Sequence, residues 1–343
     1  MRNIQILILT MTLLLLCGCG QPAAETPGST GYVGQTEMMV VIKDETVPLS
    51  QAMPAGPAGK ALDSEAEALS QSTAAAANTL TPKASGIKEK RVSNAVIDYS
   101  HTEDGYVMVK YTGQTTKRLK SQVKGPSTTY TYNVTPGQWE TFPLSDGNGK
   151  YQVALFENVS GNKYAAVTSV SFDVKLTNEF APYLLPNQYV NYSASSNVVV
   201  KAEELIDGET KVLKKVEAVY DFVVSDLTYD KEKAATVQSG YLPVLDTVLE
   251  QKKGICFDYA SLMAGMLRSQ GVPCKLVVGY AGTAYHAWIS VWSEETGWVD
   301  GAVYFDGTTW QRMDPTFASS GNKSASIMKY IGNGKNYSEK YLY

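Results

Sequence analysis

Between residues 92 and 179 apolar and polar positions alternate one by one. Val107, Val109 and Tyr111 alternate with Met108 and Lys110, and Tyr130, Tyr132 and Val134 with Thr131 and Asn133. Tyr151, Val153 and Leu155 continue the pattern, and Val170, Phe172, Val174 and Leu176 repeat it against Ser171, Asp173 and Lys175. A period of two is that of a strand with one buried face. Asp104-Gly105, Gly125-Pro126, Pro136-Gly137 and Asp146-Gly147 supply turns between such strands. Short strands punctuated in this way predict a small β-sandwich over 92–180. Its tyrosines are read as ordinary strand residues of a spacer domain, with a surface for sugar or peptide as the alternative.

After residue 180 the period lengthens. Segments 198–206 and 210–226 read as helices, and Val212, Val216, Val219, Phe222 and Val223 make one apolar face of the second. Pro243 suits the first turn of a helix running to about Gln251. Leu262, Met266 and Leu267 recur at helical spacing in a segment that begins at Cys256 and stops at Gly271 and Pro273. Strands are then expected near 274–281, 285–293, 298–304 and 308–314, forming one antiparallel sheet. The class this predicts is α+β, a helical layer facing a sheet, preceded by the sandwich.

The N-terminal pattern is different again. Met1-Arg2-Asn3 is positive, and residues 4–16 are largely apolar but too few to span a bilayer stably. Leu16-Cys17-Gly18-Cys19 resembles a bacterial lipobox, which implies cleavage after Gly18 and acylation of Cys19; an ordinary secretory signal with incidental cysteines is the alternative. Residues 1–18 are thus expected to be a lipoprotein signal peptide, and the mature chain to be anchored by lipid on the extracytoplasmic face of a membrane. In residues 51–90, 24 of 40 positions are Ala, Gly, Pro, Ser or Thr. That leaves little apolar surface to offset ordering entropy, so 19–91 reads as a flexible tether with a reach of roughly 45 Å. Within it, 38–42 could form one strand and 62–69 a transient helix.

Composition narrows the chemistry. At 343 residues and 44% apolar, the chain can bury two cores. A net charge of -4 without a run of Lys or Arg predicts no nucleic-acid partner. No His or Cys pair has metal-ligand spacing, so neither metal nor cofactor is expected. His101 reads as a surface or edge residue of the sandwich. Outside the signal, Cys256 and Cys274 remain, and a disulfide between them is one alternative. A buried structural role for Cys256 is another. Against both, a thiol at a helix N-terminus is favoured as thiolate by the helix dipole, which is a nucleophile's position. His286 lies in the alternating strand Tyr285-His286-Ala287-Trp288-Ile289-Ser290-Val291-Trp292, and Asp314 ends the segment that begins at Trp310. Cys256, His286 and Asp314 can form a triad in which the imidazole takes the thiol proton and the carboxylate orients the ring.

Three stretches in order, "KKGICFDYASLMAGMLRSQGVPCKLVVGY", "HAW" and "MDPTF", set the triad residues 30 and 28 positions apart. Together they resemble the transglutaminase-like superfamily, over about 182–343 with "LTYDKEK" included. The resemblance implies a papain-like cysteine-protease fold over 181–343 and a Cys256, His286, Asp314 catalytic core. It also implies an oxyanion hole in which the Cys256 backbone N–H is joined by a side chain from upstream; Tyr229 is the candidate, with a core tyrosine as its alternative. Trp288, on the same strand face as His286, is either a shield over the triad or a core anchor. The activity implied is thiolate attack on a peptide or glutamine amide, ending in hydrolysis or in acyl transfer to an amine. Short polar loops such as Gly282-Thr283-Ala284 favour hydrolysis. The expected substrate is protein or peptide, cell-wall peptide included, and the expected state a monomer. A non-catalytic lipoprotein that binds wall polymer or protein is the rival reading.

Overall fold

The alternating segments form two antiparallel sheets. In a computed structural model, residues 39–42, 79–300, 303–305, 310–312, 316 and 334–343 are described. The first nine strands are β1 (Met39–Val41), β2 (Glu89–Val92), β3 (Ala95–Asp98), β4 (Tyr106–Tyr111), β5 (Leu119–Lys124), β6 (Thr129–Asn133), β7 (Trp139–Pro143), β8 (Gly149–Ser160) and β9 (Lys163–Val174). They pair in the orders β1-β9-β8-β5-β6 and β2-β3-β4-β7. β1 falls within 19–91 and β2 begins there, the first at an edge of one sheet and the second at an edge of the other. The helix expected at 62–69 and the signal segment 1–18 lie outside the described residues.

The tyrosines do not form a binding surface. Tyr130, Tyr132 and Tyr151 are buried. Tyr132 stacks on Phe142 at 4.2 Å, and Tyr130 and Tyr132 meet the ring of Tyr343 at 5.6 and 5.9 Å. Tyr189 bridges onward, 4.5 Å from Tyr343 and 5.6 Å from Phe257. Aromatic pairs of this kind contribute about 0.5–1.5 kcal/mol each beyond their buried area. The main apolar cluster therefore runs without a break from the sandwich into the helical layer.

The helices are α1 (Asn197–Leu205), α2 (Val212–Asp226), α3 (Lys231–Thr236), α4 (Leu245–Gln251) and α5 (Cys256–Ser269). Two differ from the sequence reading. α3 has no apolar stripe to announce it and is held by its cap, Asp230, whose carboxylate accepts the Lys233 N–H at 2.9 Å. Pro243 lies outside α4, because Val244 keeps an extended backbone (φ -107°, ψ 98°) and the helix begins at Leu245. Every residue of α5 except Phe257 is buried. It packs on α1, α2 and α4 on one side and on the sheet on the other, as an all-round buried helix must.

Two short strands, β10 (Thr228–Tyr229) and β11 (Lys253–Gly254), pair in parallel just ahead of α5. The remaining strands are β12 (Cys274–Ala281), β13 (Ala284–Ser293), β14 (Gly297–Asp300), β15 (Val303–Phe305), β16 (Trp310–Arg312) and β17 (Tyr337–Leu342). These strands do not form the single sheet of four expected from the sequence. Segment 298–304 divides between β14 and β15, and β15 pairs with β16 as a separate ribbon. The main sheet is β14-β13-β12-β17, with the last strand of the chain beside β12. Gly279 permits that pairing, since it has no Cβ where the Ser338 carbonyl comes closest, and the register shifts between Val278 and Gly279.

One buried cation joins these parts. Arg268, near the end of α5, donates to the carbonyls of Cys274 at 2.8 Å and Leu185 at 2.9 Å, and to that of Tyr343. Three main-chain oxygens satisfy its fork. The end of α5, the start of β12, the segment after the sandwich and the end of β17 are thereby held at one point.

Candidate active site

The chain approaches α5 through a tight elbow. Lys252 closes α4 in the left-handed region (φ 49°) and turns the backbone into β11. Thr228 N–H donates to the Lys252 carbonyl at 2.9 Å and Asp230 N–H to that of Gly254 at 2.8 Å, which fixes both ends of the two-residue ladder. A Cβ on Gly254 would lie 2.6 Å from that of Asp258, so the elbow folds directly onto the third residue of the helix. Asp258 uses that proximity. Its Oδ2 accepts the Ile255 N–H at 2.8 Å, the reciprocal half of a helix cap, and so satisfies a donor that a buried helix start would otherwise orphan.

Cys256 is the first residue of α5, with 3% of its surface exposed. Its thiol is free, as is that of Cys274, so no disulfide blocks it. The two thiols differ in setting. Burial pushes the Cys274 thiol up to about 12, a shift that the nearby Arg268 charge opposes without cancelling. Cys274 is thus an inert apolar side chain at neutral pH.

His286 stands on β13, opposite Gly279 of β12, and is 3% exposed. α5 packs against both of these strands, which sets the helix that begins at Cys256 over the strand that carries the imidazole. Trp288, two residues on, is buried with its ring 6.1 Å from that of His286 and inclined by only 22°. Tyr337 of β17 meets it edge-on at 5.2 Å. Trp288 is thus a core anchor that also walls one side of the imidazole. Tyr229 is half-buried and pairs with Gly254, which puts it beside the main chain two residues ahead of Cys256. Asp314 and Cys19 lie outside the described residues. His101 belongs to the sandwich, where its Nδ1 is 2.9 Å from Asp104 and its ring stacks on Tyr106. Among the described residues no group of His, Cys, Asp and Glu is arranged to hold a metal ion.

Sequence reasoning missed the groups that surround the helix start. The Lys233 ammonium lies 2.6 Å from Asp258 Oδ2, and the Tyr241 hydroxyl donates to Oδ1 at 2.5 Å. Lys233 also sits over the Tyr241 ring, 4.3 Å from its centre. The one signal available was Lys233 inside "LTYDKEK", and nothing in the spacing pairs it with a residue 25 positions on.

The Transglutaminase-like superfamily model matches residues 201–315. An uncharacterized protein of Bacillus subtilis (strain 168), YebA, is 27% identical over 147 residues, 37% of this chain and 20% of that protein. A protein-glutamine gamma-glutamyltransferase of Pseudomonas aeruginosa is 32% identical over 68 residues, 16% of this chain and 10% of that protein. The match thus spans a fifth or less of these curated relatives. Among solved structures, the periplasmic domain of TgpA from Pseudomonas aeruginosa bound to ethylmercury is 18% identical, with 74% of this chain and 81% of that one covered at a TM-score of 0.31. Red sea bream transglutaminase is 13% identical, with 66% and 53% covered at a TM-score of 0.29.

Proposed function

With residues 201–315 belonging to the Transglutaminase-like superfamily, we propose that this protein is an extracytoplasmic cysteine enzyme whose Cys256 attacks a peptide or glutamine amide. The observation that carries the reading is Cys256 at the first position of a buried 14-residue helix laid against the strand of a buried His286. His286 takes the thiol proton, and the thiolate sulfur adds to the amide carbonyl carbon. The oxyanion formed is held by the Cys256 N–H and the Tyr229 hydroxyl. The C–N bond then breaks, His286 returns the proton to the leaving amine, and an acyl thioester on Cys256 remains. Water attacks that thioester, its proton goes to His286, and the carboxylic acid leaves as the thiolate is restored. Asp314 orients the imidazole through the cycle.

Water is the favoured acceptor, on the short turns that flank β13: residues 282–283 before it and 294–296 after it. The name of the Pseudomonas aeruginosa relative, a protein-glutamine gamma-glutamyltransferase, supports a second reading in which a primary amine takes the acyl group. The substrate we propose is protein or peptide, cell-wall peptide included. Cys19 is proposed to carry the lipid that holds the chain at the membrane, acting as a monomer. The acceptor is decided by incubating the protein with a glutamine-bearing protein and a labelled primary amine. Peptide cleavage or glutamine deamidation that needs Cys256, without label uptake, upholds hydrolysis. Stoichiometric label uptake that needs Cys256 overturns it in favour of transfer, and neither outcome above a Cys256→Ala control removes the enzyme reading.

A further inference from the structure

The Asp258 carboxylate poses an electrostatic difficulty. It is fully buried and two positions from Cys256, so its negative charge opposes the thiolate that the reaction requires. Yet it cannot simply be absent, because it caps the Ile255 N–H and closes the elbow beneath Gly254. We infer that Lys233 is a positioning residue for the nucleophile, neutralising Asp258 so that the carboxylate can hold the first turn of α5 without disfavouring the Cys256 thiolate. The inference rests on the reading of Cys256 as nucleophile and deepens it.

The geometry supports this in three ways. Lys233 Nζ reaches Asp258 Oδ2 at 2.6 Å, and the Lys233 side chain keeps only 27% of its surface exposed beside a partner with none. Its helix is fixed independently, by the Asp230 cap on its own N–H. Tyr241 completes the carboxylate's shell, and burial, then its hydrogen bond to Asp258 and the charge there, raises its pKa, so it remains a donor. The loop that carries Tyr241 is seated on the sandwich, where a Cβ on Gly240 would be 2.8 Å from Asn133 Nδ2. Other titratable groups on the elements around this turn are Tyr229 on β10, Lys253 on β11, Cys274, Lys275 and Tyr280 on β12, and Tyr285 and His286 on β13. Of these, Lys253 is already paired, 3.2 Å from Asp230. On α1 and α2, Lys201 pairs with Glu204 and Lys214 with Glu217. Lys233 is the cation bonded to Asp258.

The test is the rate of iodoacetamide alkylation at Cys256, read by peptide mass spectrometry on the full chain with Cys274 as internal reference. Wild-type protein should react far faster at Cys256 than at Cys274. Lys233→Met should slow Cys256 by about tenfold at neutral pH, the effect of an uncompensated carboxylate close by. Lys233→Arg, which keeps the charge, should restore the rate. So should the double variant Lys233→Met/Asp258→Asn, because the amide still accepts the Ile255 N–H and no charge is left to neutralise. A purely structural role for Lys233 predicts the reverse, a double variant at least as slow as the single one. That result, or a Lys233→Met protein as fast as wild type, overturns the inference while leaving the nucleophile reading intact. Equal wild-type rates at the two cysteines would remove both. If Lys233→Met does not fold, the double variant decides alone: fast supports the inference, slow overturns it.

Discussion

A Cβ on Gly279 would lie 2.0 Å from the carbonyl oxygen of Ser338 and 2.9 Å from the indole of Trp288. The two strands approach at that point closely enough that no side chain fits, and the same glycine is the ladder partner of His286. Gly279→Ala must push β17 away from β12. The expected loss is about 3 kcal/mol, at the upper end of the usual range for overpacking. Urea unfolding checks it: the midpoint should fall with an unchanged slope, and an unaltered midpoint would show that β17 is not held at this contact.

Alkali should unfold the protein. Tyr132, Tyr189 and Tyr343 meet at the seam between the sandwich and the helical layer, and burial raises the pKa of each. A phenol that ionises less readily folded than unfolded gives stability that is complete below the unfolded value near 10, and this is lost as pH rises through the folded value. Cys274, pushed up to about 12, acts in the same direction from about pH 9 upward. The chain has 22 tyrosines, several of them only partly buried, so the readout is the last step of phenolate absorbance between pH 8 and 12, which should coincide with loss of near-ultraviolet circular dichroism. Complete phenolate formation with the dichroism intact would mean that these hydroxyls are not buried.

What was legible in the sequence was local. Strict alternation from Val170 to Val174 marked the sandwich, because one-sided burial imposes that period directly; α5, buried nearly all round, was marked instead by apolar residues at helical spacing and by its stop at Gly271 and Pro273. The strand at Tyr337–Leu342 escaped notice because apolar and polar residues do not alternate along it: Glu339 interrupts one face and Leu342 the other. Its register position depends on a missing Cβ at Gly279, some 60 residues away. The seam was missed for a related reason: alternation shows that Tyr130 and Tyr132 share a face, not that the face is covered by Tyr343. In the candidate site, Cys256 and His286 could be proposed as nucleophile and base from their neighbours, whereas the contact of Lys233 with Asp258 exists only after α3 and α5 are packed.

Anchoring is tested apart from catalysis. Cys19→Ser removes the sulfur that would be acylated, so lipidation should be lost and the protein should leave the membrane fraction or accumulate unprocessed. Fractionation with labelled fatty acid reads both. Persistent label and membrane association after the substitution would exclude Cys19 as the lipid site.

The central claim is that His286 activates Cys256 as a thiolate nucleophile. Its most direct test compares alkylation of Cys256 and Cys274 in wild-type protein and in His286→Ala at about pH 6, where an ordinary thiol scarcely reacts. The account predicts at least tenfold faster modification of Cys256 in the wild type and loss of most of that advantage in His286→Ala. Equal rates at the two cysteines, or a Cys256 rate that does not change when His286 is removed, would contradict it.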